Sequence, residues 1–106
     1  MRRLVALGAF VLSVTAAVLG HARGTTHRVL MENVAFAPAE ITVRVGDVVE
    51  WVNRDFVAHT ATADNAGWDV DLSPGATGRV TLNRPGEASY HCRYHPNMTG
   101  RIVVQP

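Results

Sequence analysis

Beyond residue 23, no stretch of this chain sustains a helical period over three turns. Short runs of Val, Ile, Thr and aromatic residues are instead interrupted by Gly, Pro, Asn or Asp. That punctuation points to an all-β fold. Strand-like runs lie near residues 28–36, 41–45, 48–53, 57–62, 68–72, 77–82, 87–93 and 100–105. Short strands at this spacing, about eight in one small unit, suit a Greek-key β-sandwich. The clearest pattern is Ile41-Thr42-Val43-Arg44-Val45, whose strict alternation buries one face and wets the other. Gly46-Asp47 then supplies a tight turn, with Val49 and Trp51 continuing the buried face on the return strand and Glu50 opposite. Pro38, Pro74 and Pro85 fall between runs, where a missing N–H breaks no ladder.

Ahead of these runs, Arg2 and Arg3 precede an apolar stretch from Leu4 to Leu19, shorter than the roughly 20 residues of a membrane span. Gly20-His21-Ala22 places small residues where a signal peptidase needs them. Residues 1–22 therefore read as a signal peptide, with an uncleaved anchor as the alternative, and residues 23–106 as one domain with no membrane span. The whole chain carries a formal charge of +1 and no Lys, and after cleavage eight Arg face nine Asp plus Glu. So near-neutral a domain lacks the basic face that binds nucleic acid. Its single Cys cannot form a disulfide within the chain, and a lone thiol in an oxidising compartment needs an occupant.

That occupant is indicated by Tyr90-His91-Cys92-Arg93-Tyr94-His95-Pro96-Asn97-Met98-Thr99-Gly100, where Cys92, His95 and Met98 follow one another at intervals of three. A tight loop leaving a strand can aim all three at one point. Thiolate and imidazole bind soft or borderline metals, and a thioether is a weak axial ligand to copper. His59, directly after the Trp51 strand and its Asn53-Arg54-Asp55 turn, supplies a second imidazole. Two His, one Cys and a distant Met describe a blue-copper electron-transfer site. His91 adjoins Cys92 on a strand, so the period of two sends it to the opposite face. His21 and His27 read as bystanders, and Trp51 and Phe36 as core. Asp64, Asp69 and Asp71 match no calcium loop and read as a solvated acidic patch.

On these residues the chain resembles the cupredoxins of the plastocyanin and amicyanin group. It is similar to amicyanins in particular because its Cys-x2-His-x2-Met loop is as short as theirs. The run Phe36-x-Pro38-x-x-Ile41-x-Val43-x-x-Gly46-Asp47-x-Val49-x-Trp51-x-Asn53 resembles the family's N-terminal half. The resemblance implies His59, Cys92, His95 and Met98 as ligands of one type 1 copper. It also implies a monomeric, non-enzymatic, periplasmic or otherwise extracytoplasmic carrier of single electrons, with a cytochrome c or a periplasmic dehydrogenase as partner. His95 would serve as the electron's exit within an apolar patch that includes Pro96, Phe56 and Val57. Hydrogen bonds to the Cys92 sulfur are expected from backbone groups near Thr60. The family commonly has Asn directly after its first His, tying the ligand loops together; here Thr60 stands there, and Ala58 stands where amicyanins often have Pro. A copper carrier or chaperone is the alternative function. An oxidase or nitrite reductase is disfavoured because the chain has no His-x-His pair.

Overall fold

The computed structural model describes residues 24–106, so the expected signal peptide at 1–22 lies outside the described residues. Among those residues there is no helix, and nine strands form two sheets. The strands are β1 (Thr26–Glu32), β2 (Ala35–Ala37), β3 (Glu40–Arg44), β4 (Val48–Asn53), β5 (His59–Ala63), β6 (Asp69–Leu72), β7 (Thr77–Thr81), β8 (Gly86–His91) and β9 (Thr99–Gln105). One sheet has the order β2-β1-β4-β7, the other β3-β9-β8-β5-β6.

The expected run at 28–36 is two strands. Asn33 and Val34 adopt φ values of 55° and 56°, reversing the chain so that Glu32 pairs with Ala35. Asn tolerates this left-handed backbone; a β-branched Val does not, at a cost of roughly 1–3 kcal/mol. What holds the turn is remote in sequence. The Asp55 carboxylate accepts the amides of Asn33 at 2.8 Å and Val34 at 2.9 Å.

Gly46-Asp47 does form a tight turn, with Gly46 at φ 92° and the Asp47 amide donating to the Arg44 carbonyl at 2.9 Å. It does not close a hairpin. β3 pairs in parallel with β9 and β4 in parallel with β1, in different sheets, so the turn carries the chain across the sandwich. Glu50 faces away from the core as expected, yet it is nearly buried between Arg28 and Arg79, its register neighbours on β1 and β7.

Alternate residues of both sheets fill the space between them. Val29, Met31, Val49 and Trp51 from one sheet meet Val43, Ala61, Leu72, Tyr90, Ile102 and Val104 from the other. Trp68 completes an aromatic group, its ring 5.2 Å from Trp51 and 5.5 Å from Tyr90, with Phe36 4.6 Å from Tyr90 on the other side. The Tyr90 hydroxyl accepts from the Trp51 indole at 3.3 Å. Burial pushes that phenol up to about 12, so it stays protonated. Cys92 and Met98 belong to the same buried cluster, so the candidate site grows directly out of the core.

Candidate metal centre

β4 ends at Asn53, a fully buried amide. Its Nδ2 donates to the carbonyls of Val57 at 2.9 Å and Leu72 at 3.0 Å, while its Oδ1 accepts from the Asp55 amide at 2.9 Å. These bonds curl residues 54–58 and set His59 at the start of β5, wholly buried. The His59 Nε2 lies 2.7 Å from the Asp55 Oδ2. With the Nε2 proton donated to that carboxylate, Nδ1 keeps its lone pair for a metal. Partial burial raises the Asp55 pKa, but the Val34 amide, the His59 ring and the Asn33 amide outweigh it and hold the carboxyl below its usual range.

The second arm is the β8–β9 connection. Strand alternation turns Tyr90 and Cys92 inward and His91 outward, where its Nδ1 lies 2.6 Å from Asp64. The Cys92 amide donates to the Met98 carbonyl at 3.0 Å, and the Met98 amide to the His95 carbonyl at 2.8 Å. The loop is thereby drawn closed, with Met98 buried beside the strand that carries Cys92. The Cys92 sulfur lies 3.7 Å from His59 Nδ1 and 3.8 Å from His95 Nδ1. The three donor atoms all fall within 4.8 Å of one another.

Metal–nitrogen and metal–sulfur bonds of about 2.0 and 2.3 Å permit donor separations up to about 4.3 Å, so both measured sulfur–nitrogen distances fit a shared ion. A thiol and two imidazoles favour copper over a hard cation, and Met98, buried in the same loop, is the candidate thioether. The Thr60 amide donates to the Cys92 sulfur at 3.3 Å, the backbone contact expected from the sequence. The Thr60 hydroxyl accepts the Arg93 amide at 2.8 Å, so Thr60 ties the two ligand loops together.

Asp55 is the residue that sequence reasoning missed; its only signal was its position four residues before His59. The acidic residues grouped as a solvated patch are exposed, but each has a partner. Asp64 pairs with His91, Asp69 with Arg93 and the Thr62 hydroxyl, and Asp71 with the Tyr94 hydroxyl. The Thr62 hydroxyl and then Arg93 hold the Asp69 carboxyl below its usual range. In the loops that lead into His59 and out of Cys92, Phe56 is 98% exposed, Val57, Tyr94 and Pro96 are exposed, and His95 is half-buried.

Known proteins are similar to this chain in sequence and in fold. Amicyanin from Paracoccus versutus is 25% identical over 81 residues, covering 71% of this chain and 61% of the relative. Amicyanin from Paracoccus denitrificans is 31% identical over 81 residues, covering 62% and 55%. The chain thus spans rather more than half the length of these curated relatives. Among solved structures, a copper(I) amicyanin variant superposes with a TM-score of 0.68 at 26% identity, covering 76% of this chain and 82% of that one. A copper-containing nitrite reductase from Thermus scotoductus gives a TM-score of 0.69 at 29% identity, covering 82% of this chain but 23% of that one. The family model described as a cupredoxin-like domain matches residues 3–104. With the two-sheet fold and the His-Cys-His donor group already in place, that near-complete match makes the chain a member of the cupredoxin-like family.

Proposed function

We propose that this chain is an exported type 1 blue copper protein that carries single electrons between redox partners. His59, Cys92, His95 and Met98 are its ligands for one copper, and it is not an enzyme. The observation that carries this reading is the buried Cys92 sulfur standing 3.7 and 3.8 Å from two imidazole Nδ1 atoms. Bound there, copper supplies a one-electron couple, Cu(II)/Cu(I).

The chain's own residues do the rest. Asp55 fixes the His59 ring, the Thr60 amide stabilises negative charge on the Cys92 sulfur, and the β scaffold limits movement of both arms. Half-buried His95, with exposed Tyr94 and Pro96 on either side in sequence and exposed Phe56 and Val57 in the loop before His59, is the proposed exit for the electron. A cytochrome c or a periplasmic dehydrogenase is the proposed partner, met outside the cytoplasm. A copper chaperone needs exchangeable ligands, and the full burial of His59 and Cys92 opposes that. The nitrite reductase likeness covers 23% of that enzyme, and this chain has no His-x-His pair for further coppers.

Copper(II) added to the purified protein should produce an intense visible thiolate-to-copper band and narrow hyperfine splitting. Cys92→Ser should abolish both. A colourless or zinc-only wild type overturns the reading, and copper lost to an acceptor in each redox cycle replaces it with the chaperone.

A further inference from the structure

Thr60 sits on β5 between the inward-facing His59 and Ala61, so alternation turns its side chain to the outer face of the sheet. It is nonetheless completely buried. Its cover is the loop bearing Cys92 and His95, since the Arg93 amide donates to the Thr60 hydroxyl at 2.8 Å. The contact continues outward. The Thr60 and Thr62 hydroxyls are 2.8 Å apart, and the Thr62 hydroxyl donates to Asp69 at 2.5 Å. Asp69 also receives the Arg93 guanidinium through Nε at 3.1 Å and a terminal nitrogen at 3.2 Å. Beside this closed ring, the Tyr94 hydroxyl donates to Asp71 at 2.5 Å, and Arg93 approaches the same carboxylate at 3.5 Å. Register explains the assembly, because Thr62 faces Asp69 and Thr60 faces Asp71 across the β5–β6 pair.

We propose that Thr60, Thr62, Asp69 and Arg93, with Asp71 and Tyr94 alongside, form a clamp that positions the ligand loop against β5 and β6. The clamp deepens the copper reading, since the loop it holds carries Cys92 and His95. Its action is geometric more than energetic. Arg93 and Asp69 are 42% and 48% exposed, and such a pair adds little to global stability. A planar fork meeting a carboxylate through two nitrogens nevertheless fixes direction, which a flexible ammonium does not. Without it, the turn from Cys92 to His95 is held by the Thr60 hydroxyl and the two backbone bonds to and from Met98.

The test compares wild type with Asp69→Ala, Arg93→Ala, Arg93→Lys and a control, Glu87→Ala, which removes an exposed ion pair with Arg101 on the β8–β9 pair outside the clamp, each as the full chain with and without copper(I). Amide exchange is read at Arg93 and Met98, copper release in the loaded protein, and global stability by urea. Asp69→Ala and Arg93→Ala should speed exchange at both amides, and copper release, by roughly three- to tenfold while leaving the urea midpoint almost unchanged. Arg93→Lys should recover only part of the loss, and Glu87→Ala should match wild type. Wild-type exchange in Asp69→Ala overturns the clamp even if its copper(II) form is blue. So does a loss confined to global stability. If wild type forms no blue copper site, the copper reading falls, while exchange in the metal-free chain still decides the clamp.

Discussion

Two of the Asp–His pairs sit at opposite ends of the sandwich. At the end remote from the donor group, the His27 Nε2 meets Asp47 at 2.8 Å, and the same carboxylate oxygen accepts the Arg44 amide at 3.0 Å. At the other end, the His59 Nε2 meets Asp55 at 2.7 Å, and that carboxylate accepts the amides of Asn33 and Val34. Both use one construction, a carboxylate fixed by backbone amides and a ring fixed by the carboxylate. They differ in company and burial. His59 is sealed from solvent and belongs to the only His-Cys-His donor group among the described residues, whereas His27 is 25% exposed and lies where the turn crosses between sheets. An oriented imidazole becomes a ligand only where the fold brings other donors to its second nitrogen.

The widest expected gap between the ends lies in the histidines themselves. His59→Ala should eliminate the visible copper band, whereas His27→Ala should leave its position and intensity unchanged; absorption spectra during copper(II) addition decide. A band lost in the His27 variant breaks the comparison.

The aspartates should separate next. Asp55→Ala should weaken copper binding about 10- to 100-fold, because the ring it orients is the proposed ligand. Asp47→Ala should instead leave copper affinity unchanged and lower stability by about 1–3 kcal/mol, the cost of unpairing buried polar groups. Competitive copper titration and urea unfolding of both variants separate these outcomes.

The smallest effect sharpens the contrast with a carboxylate that no histidine orients. On Glu50, the Arg79 hydrogen bond, assisted by Arg28, overcomes the opposing effect of burial and holds the carboxyl below its ordinary value of 4.5. A pKa lowered by folding contributes stability that is complete above that ordinary value and disappears as pH falls through the lower folded one. Glu50→Gln should therefore be modestly less stable than wild type at pH 7, with the gap closing in acid. Equal urea midpoints at pH 7 count against the arginine contribution.

Much of the fold was readable because alternation reports which face is buried. Ile41 to Val45 yields β3 directly, and Trp51 and Phe36 fall in the core as their apolar size implies. Alternation does not report which strand lies alongside. The Gly46-Asp47 turn and its return strand are therefore visible in the sequence, whereas the parallel pairing with β1 and β9 that separates the two arms is not. Val34 concealed a turn for a related reason, since a β-former was held at positive φ by an acceptor 21 residues away.

The donor set was readable because Cys92, His95 and Met98 lie within one short loop and share an uncommon spacing. The groups that orient it were not, because Asp55, Asp69 and Tyr94 are ordinary surface residue types until the sheets bring them to the loops. Thr60 falls between these cases. Its place after His59 marked it as a departure from the family pattern, and only the folded loop gives its hydroxyl the Arg93 amide.

The parallel pairing of β1 with β4 also determines how the domain is presented to its surroundings. Both strands run toward the copper-binding loops, as the Asn33 and Val34 amides reaching Asp55 show. Thr26 consequently lies about 20 Å back along the strand axis, at the rise of an extended chain. The described chain thus enters the domain at the pole opposite His59 and Cys92. A partner that covers the proposed electron exit at His95 would therefore leave the chain's entry into β1 uncovered.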